Sequence, residues 1–288
     1  MTDEKPVESG ALLARARTLV DSNRLDEAET ICREIISRDP GYTEARYLLA
    51  LIYQHTGQTG SAIDQYRFVV THKACPADAC NNLGTLLEST GRADEALQYY
   101  EEAIRRDPGF PFANYNLARL LRARGMSDKA ITHIRRALDS SPESAPIHLE
   151  CGMIYKALGM LPEALEHIQR ASDLCSTDPV IHNALGNLYQ VLGEIGKAIS
   201  CYQTAIDIDG DNAEARNNLG SALLARGDTT AAIDKYRAAL SIRPDWFGAA
   251  SNLLLAGNYI SDNPEDLFHE HVRYGRSLQD ATPILDIH

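Results

Sequence analysis

The chain has 288 residues, 44% hydrophobic content and a formal net charge of −12. An acidic surface lacks the basic stripe that nucleic acid needs, so no nucleic-acid partner is expected. No run approaches the roughly 18 apolar residues of a spanning helix, and the opening MTDEKPVESG has no apolar leader, so no membrane partner and a cytoplasmic location are expected.

From Ser9 onward one interval governs the chain. Ala28, Ala62, Ala96, Ala130, Ala164, Ala198 and Ala232 each fall 34 residues after the last, and a strict period of that length marks a stacked repeat. With these alanines at position 20, seven units follow without an insertion: 9–42, 43–76, 77–110, 111–144, 145–178, 179–212 and 213–246. Residues 1–8 are expected to be a flexible N-terminus.

The columns predict a helix–turn–helix in each unit. Position 8 is small throughout (Ala16, Ala50, Gly84, Ala118, Gly152, Gly186, Gly220), as is position 20, which lets two antiparallel helices approach. Position 15 is Asn23, Gly57, Gly91, Gly125, Gly159, Gly193 and Gly227; a left-handed residue there ends the first helix. Pro40, Pro108, Pro142 and Pro244 at position 32 close the second helix in four units. Positions 7, 11 and 24 carry aromatic and aliphatic residues that fill the space between helices and between units. The first unit departs most, with Asn23 for glycine and Cys32 for the aromatic at position 24. No unit can bury its own apolar face, so neighbours must cover it.

These columns resemble the tetratricopeptide repeat over roughly residues 9–246. The resemblance implies an all-α fold: a right-handed α-solenoid superhelix of seven helix–turn–helix repeats, with a C-terminal capping helix pair over 247–278 and a tail at 279–288. It also implies that the first helix of every unit lines a concave groove.

Along that helix, positions 2, 5, 6, 9 and 12 are the candidates to meet a ligand. Position 6 carries Asn82, Asn116, Asn218 and Asn252, position 5 carries Asn81, Asn183 and Asn217, and position 9 carries Asn187. An asparagine amide both donates and accepts, so a row of them can hold the backbone of an extended peptide with loose side-chain preference. The same residues also suit a structural role, bonding nearby groups of the chain, and the sequence leaves both open. Glu150 and Ala184 interrupt position 6 and split the row in two. A clamp for a terminal carboxylate, known in this repeat class, needs Lys at position 5 with Asn at position 9, and no unit has that pair.

Other features carry no expected chemistry. Arg119, Arg122 and Arg124 make one local basic patch, read as a solvated helix face. Tyr47, Tyr115, His148 and His182 fall near the first helices, and the two histidines at position 4 are expected to pack between helices. Of six cysteines only Cys75 and Cys80 are close in sequence, without a zinc-spaced partner set, so reduced structural thiols and no metal are expected. No cofactor and no catalytic residues are expected.

After Trp246 the pattern keeps the phase of a first helix, but Leu254 replaces the small residue at position 8. Asn263 before Pro264 is a good N-cap for a last helix over about 264–278, suited to cover the open end of the stack. The string SNLLLAGNYISDNPEDLFHEHVRYG at 251–275 resembles the junction that follows the repeats in bacterial O-linked N-acetylglucosamine transferases of the SPINDLY type. In that family the repeats present protein substrates to a catalytic region, which has no counterpart in these residues.

Three functions share this fold. The leading one is a non-catalytic scaffold that binds an extended peptide or partner protein in the groove. The alternative is the substrate-recruiting arm of a glycosyltransferase of the resembled family, and the third is self-association through the solenoid ends.

Overall fold

The computed structural model describes residues 4–73, 75–259 and 272. The chain divides into two compact units, Met1–Pro142 and Glu143–His288. The N-terminal unit contains α1 Glu4–Asp21, α2 Leu25–Arg38, α3 Thr43–His55, α4 Thr59–Val70, α5 Ala77–Ser89, α6 Ala93–Arg106, α7 Pro111–Ala123 and α8 Ser127–Ser140. The C-terminal unit contains α9 Ala145–Ala157, α10 Leu161–Leu174, α11 Pro179–Val191, α12 Ile195–Ile208, α13 Ala213–Arg226, α14 Thr229–Ile242 and α15 Phe247–Gly257. Among the described residues there are no strands.

Odd-numbered helices pack on the even-numbered helix that follows, and each even-numbered helix packs on the next odd one within its unit. Odd-numbered helices also touch each other, α1 with α3 and α5 with α7 in one unit, α9, α11, α13 and α15 in sequence in the other. This is the α-solenoid of stacked helix pairs that the columns predict.

Two residues of each turn explain its uniformity. Glycines 57, 91, 125, 159, 193 and 227 hold φ between +73° and +97°. Asn23 takes φ 56° in the first unit, and asparagine is among the non-glycine residues that tolerate this region best. The residue after each glycine or asparagine then donates its N–H to the position-11 carbonyl, from Arg24 to Leu19 (2.8 Å) through Asp228 to Leu223 (2.9 Å), the closing bond of a Schellman motif.

The core runs through the position-24 column. Tyr66, Tyr100, Tyr202, Tyr236, Ile134 and Ile168 are each at most 1% exposed, and burying one such ring contributes on the order of 2–3 kcal/mol. The small residue at position 8 exists largely for that side chain. A Cβ at Gly84 would stand 2.7 Å from Tyr100 Cε1, one at Gly186 2.5 Å from Tyr202 Cε1, and one at Gly152 2.4 Å from Ile168 Cγ1.

At the chain ends the picture departs from the sequence reading. α1 begins at Glu4, so the backbone of residues 4–8, expected as a flexible lead-in, is helical; an acidic first residue and Pro6 in the first turn suit a helix start. The expected last helix over 264–278 and the tail at 279–288 lie outside the described residues, Val272 excepted.

Candidate functional site

The asparagines fall on the odd-numbered helices, and one bonding pattern recurs in both units. Where the preceding pair carries asparagine at position 5, a position-6 amide donates back to its side-chain carbonyl. Asn116 Nδ2 donates to Asn81 Oδ1 (2.9 Å) in the N-terminal unit. In the C-terminal unit Asn218 Nδ2 donates to Asn183 Oδ1 (3.0 Å) and Asn252 Nδ2 to Asn217 Oδ1 (3.0 Å). Asn183 completes the pattern forward, donating to Glu214 Oε1 (3.2 Å). Tyr47, also at position 5, donates its hydroxyl to Asp78 in the same forward sense.

The two columns therefore differ in exposure. Asn81, Asn183 and Asn217 are 7%, 7% and 8% exposed and act as acceptors inside the ladder. Asn82, Asn116, Asn187, Asn218 and Asn252 are part-exposed, and Oδ1 of Asn82 and of Asn218 accepts from Asn81 Nδ2 (3.4 Å) and Asn217 Nδ2 (3.3 Å). Asn218 spends a further bond on Asn187 Oδ1 (3.2 Å). Among the described residues, Oδ1 of Asn116 and of Asn252 accepts no hydrogen bond.

The buried tyrosines of the core supply a floor to this face that the sequence did not reveal. Each ring crosses the helix pair and its hydroxyl emerges among positions 9 and 12. Tyr66 donates to Gln54 Oε1 (2.9 Å) while accepting from Asn82 Nδ2 (3.3 Å). Tyr202 reaches Asn187 Oδ1 (2.8 Å) and Gln190 Oε1 (2.9 Å), and Tyr236 reaches Ser221 Oγ (3.2 Å). Tyr100 donates to Glu88 Oε2 (2.9 Å), which also takes Arg119 Nη2 (2.7 Å). Burial pushes Tyr66 up to about 12 and raises Tyr100, Tyr202 and Tyr236 above their ordinary value, so these hydroxyls are fixed neutral donors.

Exposed apolar side chains share the helical stripe of position 6, one or two turns away. They are Phe112 on α7, Val180 and Val191 on α11, Leu255 on α15 and Tyr259 just beyond it. Positions 2, 6, 9 and 13 fall within one face at 3.6 residues per turn. The face thus combines oriented amides with apolar surface, the composition suited to a backbone flanked by side chains.

The remaining expectations have plain placements. Arg119 and Arg124 are paired with Glu88 and Asp94 (2.7 and 2.8 Å), which removes the basic patch as a strip. His148 Nδ1 lies 3.0 Å from His167 Nδ1, and His182 Nε2 bonds the Ser176 carbonyl (2.8 Å). All six cysteines are free thiols, four of them buried. Among the described residues no three His, Cys, Asp or Glu side chains gather to hold a metal ion, and no helix is long and apolar enough to cross a membrane.

A face of oriented amides on stacked helix pairs defines a helical repeat protein. Models of the tetratricopeptide repeat match residues 19–67, 77–110, 99–132 and 183–249, together well over half of the chain. The chain belongs to the tetratricopeptide repeat family. No curated protein sequence matches it.

Among solved structures it is similar to the APC/C hetero-tetramer Cut9–Hcn1, at 21% identity and a TM-score of 0.66 over 98% of this chain. The chain spans 57% of the length of that relative. A tetratricopeptide repeat protein from Parabacteroides merdae aligns at 17% identity and a TM-score of 0.65, over 86% of this chain and 98% of the other. YrrB, described as having an unusual peptide-binding site, aligns at 22% identity and a TM-score of 0.52, over 66% and 98%. At these identities the likeness is one of fold.

Proposed function

We propose that the chain is a non-catalytic scaffold that binds an extended peptide, or an extended segment of a partner protein, along the odd-numbered helices. The observation that carries this reading is the ladder itself. Asn82, Asn116, Asn218 and Asn252 each donate from Nδ2 to the preceding pair, so these part-exposed amides are pre-oriented at the repeat spacing. Pre-orientation lowers the entropy cost of binding. In this reading Asn82 and Asn116 of the N-terminal unit, and Asn187, Asn218 and Asn252 of the C-terminal unit, meet peptide backbone, while Asn81, Asn183 and Asn217 hold them in place. Each unit is a site by itself, with Phe112 in the first and Val180 and Val191 in the second taking peptide side chains.

The ladder also dictates how the proposal is tested. Removing Asn116, Asn218 or Asn252 strands a buried carbonyl, which costs about 1–3 kcal/mol of stability by itself and confounds any binding result. Asn82 and Asn187 are cleaner targets: Tyr66 and Tyr202 keep a second partner in Gln54 and Gln190, Asn218 keeps Asn183, and only the long 3.4 Å contact from Asn81 Nδ2 to Asn82 Oδ1 is lost without replacement. A peptide selected on the intact chain from a random display library is measured by calorimetry against Asn82→Ala/Asn187→Ala. The expected result is a loss of affinity of about fivefold or more with an unchanged melt. Equal affinity for both proteins, or no selectable peptide, overturns the reading.

A second reading, a substrate-recruiting arm of a glycosyltransferase, is supported by the 251–275 string alone. Its test is whether the encoding gene continues into a UDP-sugar-binding region.

A further inference from the structure

The groove between consecutive helix pairs is closed by position 11, and the closure differs along the chain. In α3, Tyr53 fills it, and its hydroxyl accepts from Arg33 Nη2 (3.0 Å) and Nε (3.3 Å) at position 25 of the preceding pair. In α11, Tyr189 accepts from Gln169 Nε2 (3.1 Å), again position 25, and Lys197 at position 19 stands 5.4 Å from its ring centroid. In α9, Tyr155 stacks on His167 at position 23, with centroids 5.4 Å apart and planes at 11°. Three neighbouring positions thus receive the internal tyrosine: 25 at its tip, 19 and 23 at its faces.

In α7 position 11 is Leu121, and there a cavity of about 470 Å³ opens. Its floor includes Leu117 and Leu121. Its rim carries the same three receiving positions, here Glu101, Lys129 and His133. The His133 ring is held in place by Nδ1 against Asn114 Oδ1 (3.2 Å), a residue fully buried between α7 and α8. Of the other three leucines at position 11, Leu19 lies in the first helix pair and has no preceding pair to face, and the remaining two leave no such need. Beside Leu87, the ion pair of Arg67 with Glu95 (3.1 Å) joins positions 25 and 19. Around Leu223, Ile199 and Ala231 pack into the apolar core. Glu101 and Lys129 form no ion pair among the described residues.

We propose that this cavity is a docking site for a tyrosine side chain of a partner protein, which takes the place the chain's own Tyr53, Tyr155 and Tyr189 occupy in other pairs. The ring fits the leucine floor. Lys129 meets its face as Lys197 meets Tyr189, and His133 stacks on it as His167 stacks on Tyr155. The polarity of the tip selects the occupant. Arg33 and Gln169 donate to the internal hydroxyls, whereas the Glu101 carboxylate only accepts, so the incoming group must bring a donor. A phenol O–H supplies it, and a phenylalanine ring does not. Position 11 lies about 140° around the helix from position 6, so this site is separate from the asparagine face and does not rest on the peptide reading.

The test is a titration of ¹⁵N-labelled protein with N-acetyl-tyrosinamide and, in parallel, N-acetyl-phenylalaninamide. Shifts are expected at backbone amides of α6, α7 and α8 around Leu121 and His133, saturating at concentrations on the order of millimolar for so small a probe. The phenylalanine probe should bind at least about threefold more weakly, as one neutral hydrogen bond predicts. Leu121→Tyr restores the internal tyrosine and should abolish both titrations. Glu101→Ala/Lys129→Ala alters two exposed residues, keeps the fold and should weaken the tyrosine probe about fivefold; it carries the test if Leu121→Tyr fails to fold. Shifts absent from α6–α8, equal affinity for the two probes, or undiminished binding in the variants each overturns the proposal.

Discussion

Gly186 shows what a single atom costs in this fold. A Cβ there would stand 2.5 Å from Tyr202 Cε1, against a ring that is fully buried. Gly186→Ala should therefore destabilise by about 1–3 kcal/mol in urea unfolding. Gly196, with nothing within 4 Å of its missing Cβ, lies in the first turn of α12, and Gly196→Ala should raise stability by up to about 1 kcal/mol. Equal effects from the two would contradict the packing described for position 8. The sequence made that column legible as small, and attributed it to the approach of two helices. That the tyrosine at position 24 occupies the space depends on which way a ring turns, which no spacing reports.

The same burial sets an alkaline limit. Burial, with Glu29 adding to it, pushes the Cys32 thiol from 9.0 to about 12, and burial pushes the Tyr66 hydroxyl from 10.0 to about 12. Both groups are held neutral in the fold and ionise earlier when unfolded. Their stabilisation is complete below pH 9.0 and is lost as pH rises from there toward about 12. Melting temperatures should be level up to about pH 9 and fall above it; a level profile to pH 11 would show that these side chains are solvated.

At the scale of elements, the turn after α4 lacks the closing proline that four other units carry, with Ala74 at position 32. Arg106, at the end of α6, holds that turn. It donates to the carbonyls of Val70 (3.2 Å), His72 (3.3 Å), Lys73 (3.3 Å) and Cys75 (2.9 Å), and pairs with Glu102 (2.8 Å). Burial works against the Glu102 carboxylate, but Arg105 and Arg106 hold it below its ordinary value. Arg106→Ala should cost about 2 kcal/mol or more and raise amide exchange selectively over 71–76. Uniform exchange across the N-terminal unit would show that the arginine is replaceable. Helix order and turn positions followed from the period because each column repeats a local requirement. This clamp did not, because it is a single long side chain serving a turn more than thirty residues earlier.

At the scale of the whole molecule, the period dictates the fold, while the asparagine row is ambiguous in the sequence between two roles. The structure separates the two columns by burial: position 5 buried, position 6 part-exposed. Spacing placed the two columns on the same helices. It did not separate them, because one residue of offset moves a side chain about 100° and from the ladder's interior to its edge. The tyrosine hydroxyls beneath the face were also illegible, since their rings belong to the core and only their tips reach the site. With a net charge of −12, association with a basic peptide should weaken as salt rises, whereas the amide contacts should not.

The central claim is that the outward amides of the ladder are where an extended peptide is held. It is tested most directly by selective ¹⁵N-labelling of asparagine and titration of the unmutated protein with a display-selected peptide. The account predicts that the side-chain amide signals of Asn82, Asn116, Asn187, Asn218 or Asn252 shift and saturate together with the peptide, while those of Asn81, Asn183 and Asn217 stay within their bonded positions. Saturable binding that leaves all eight amides unmoved would place the partner elsewhere on the chain and reduce the ladder to a structural device.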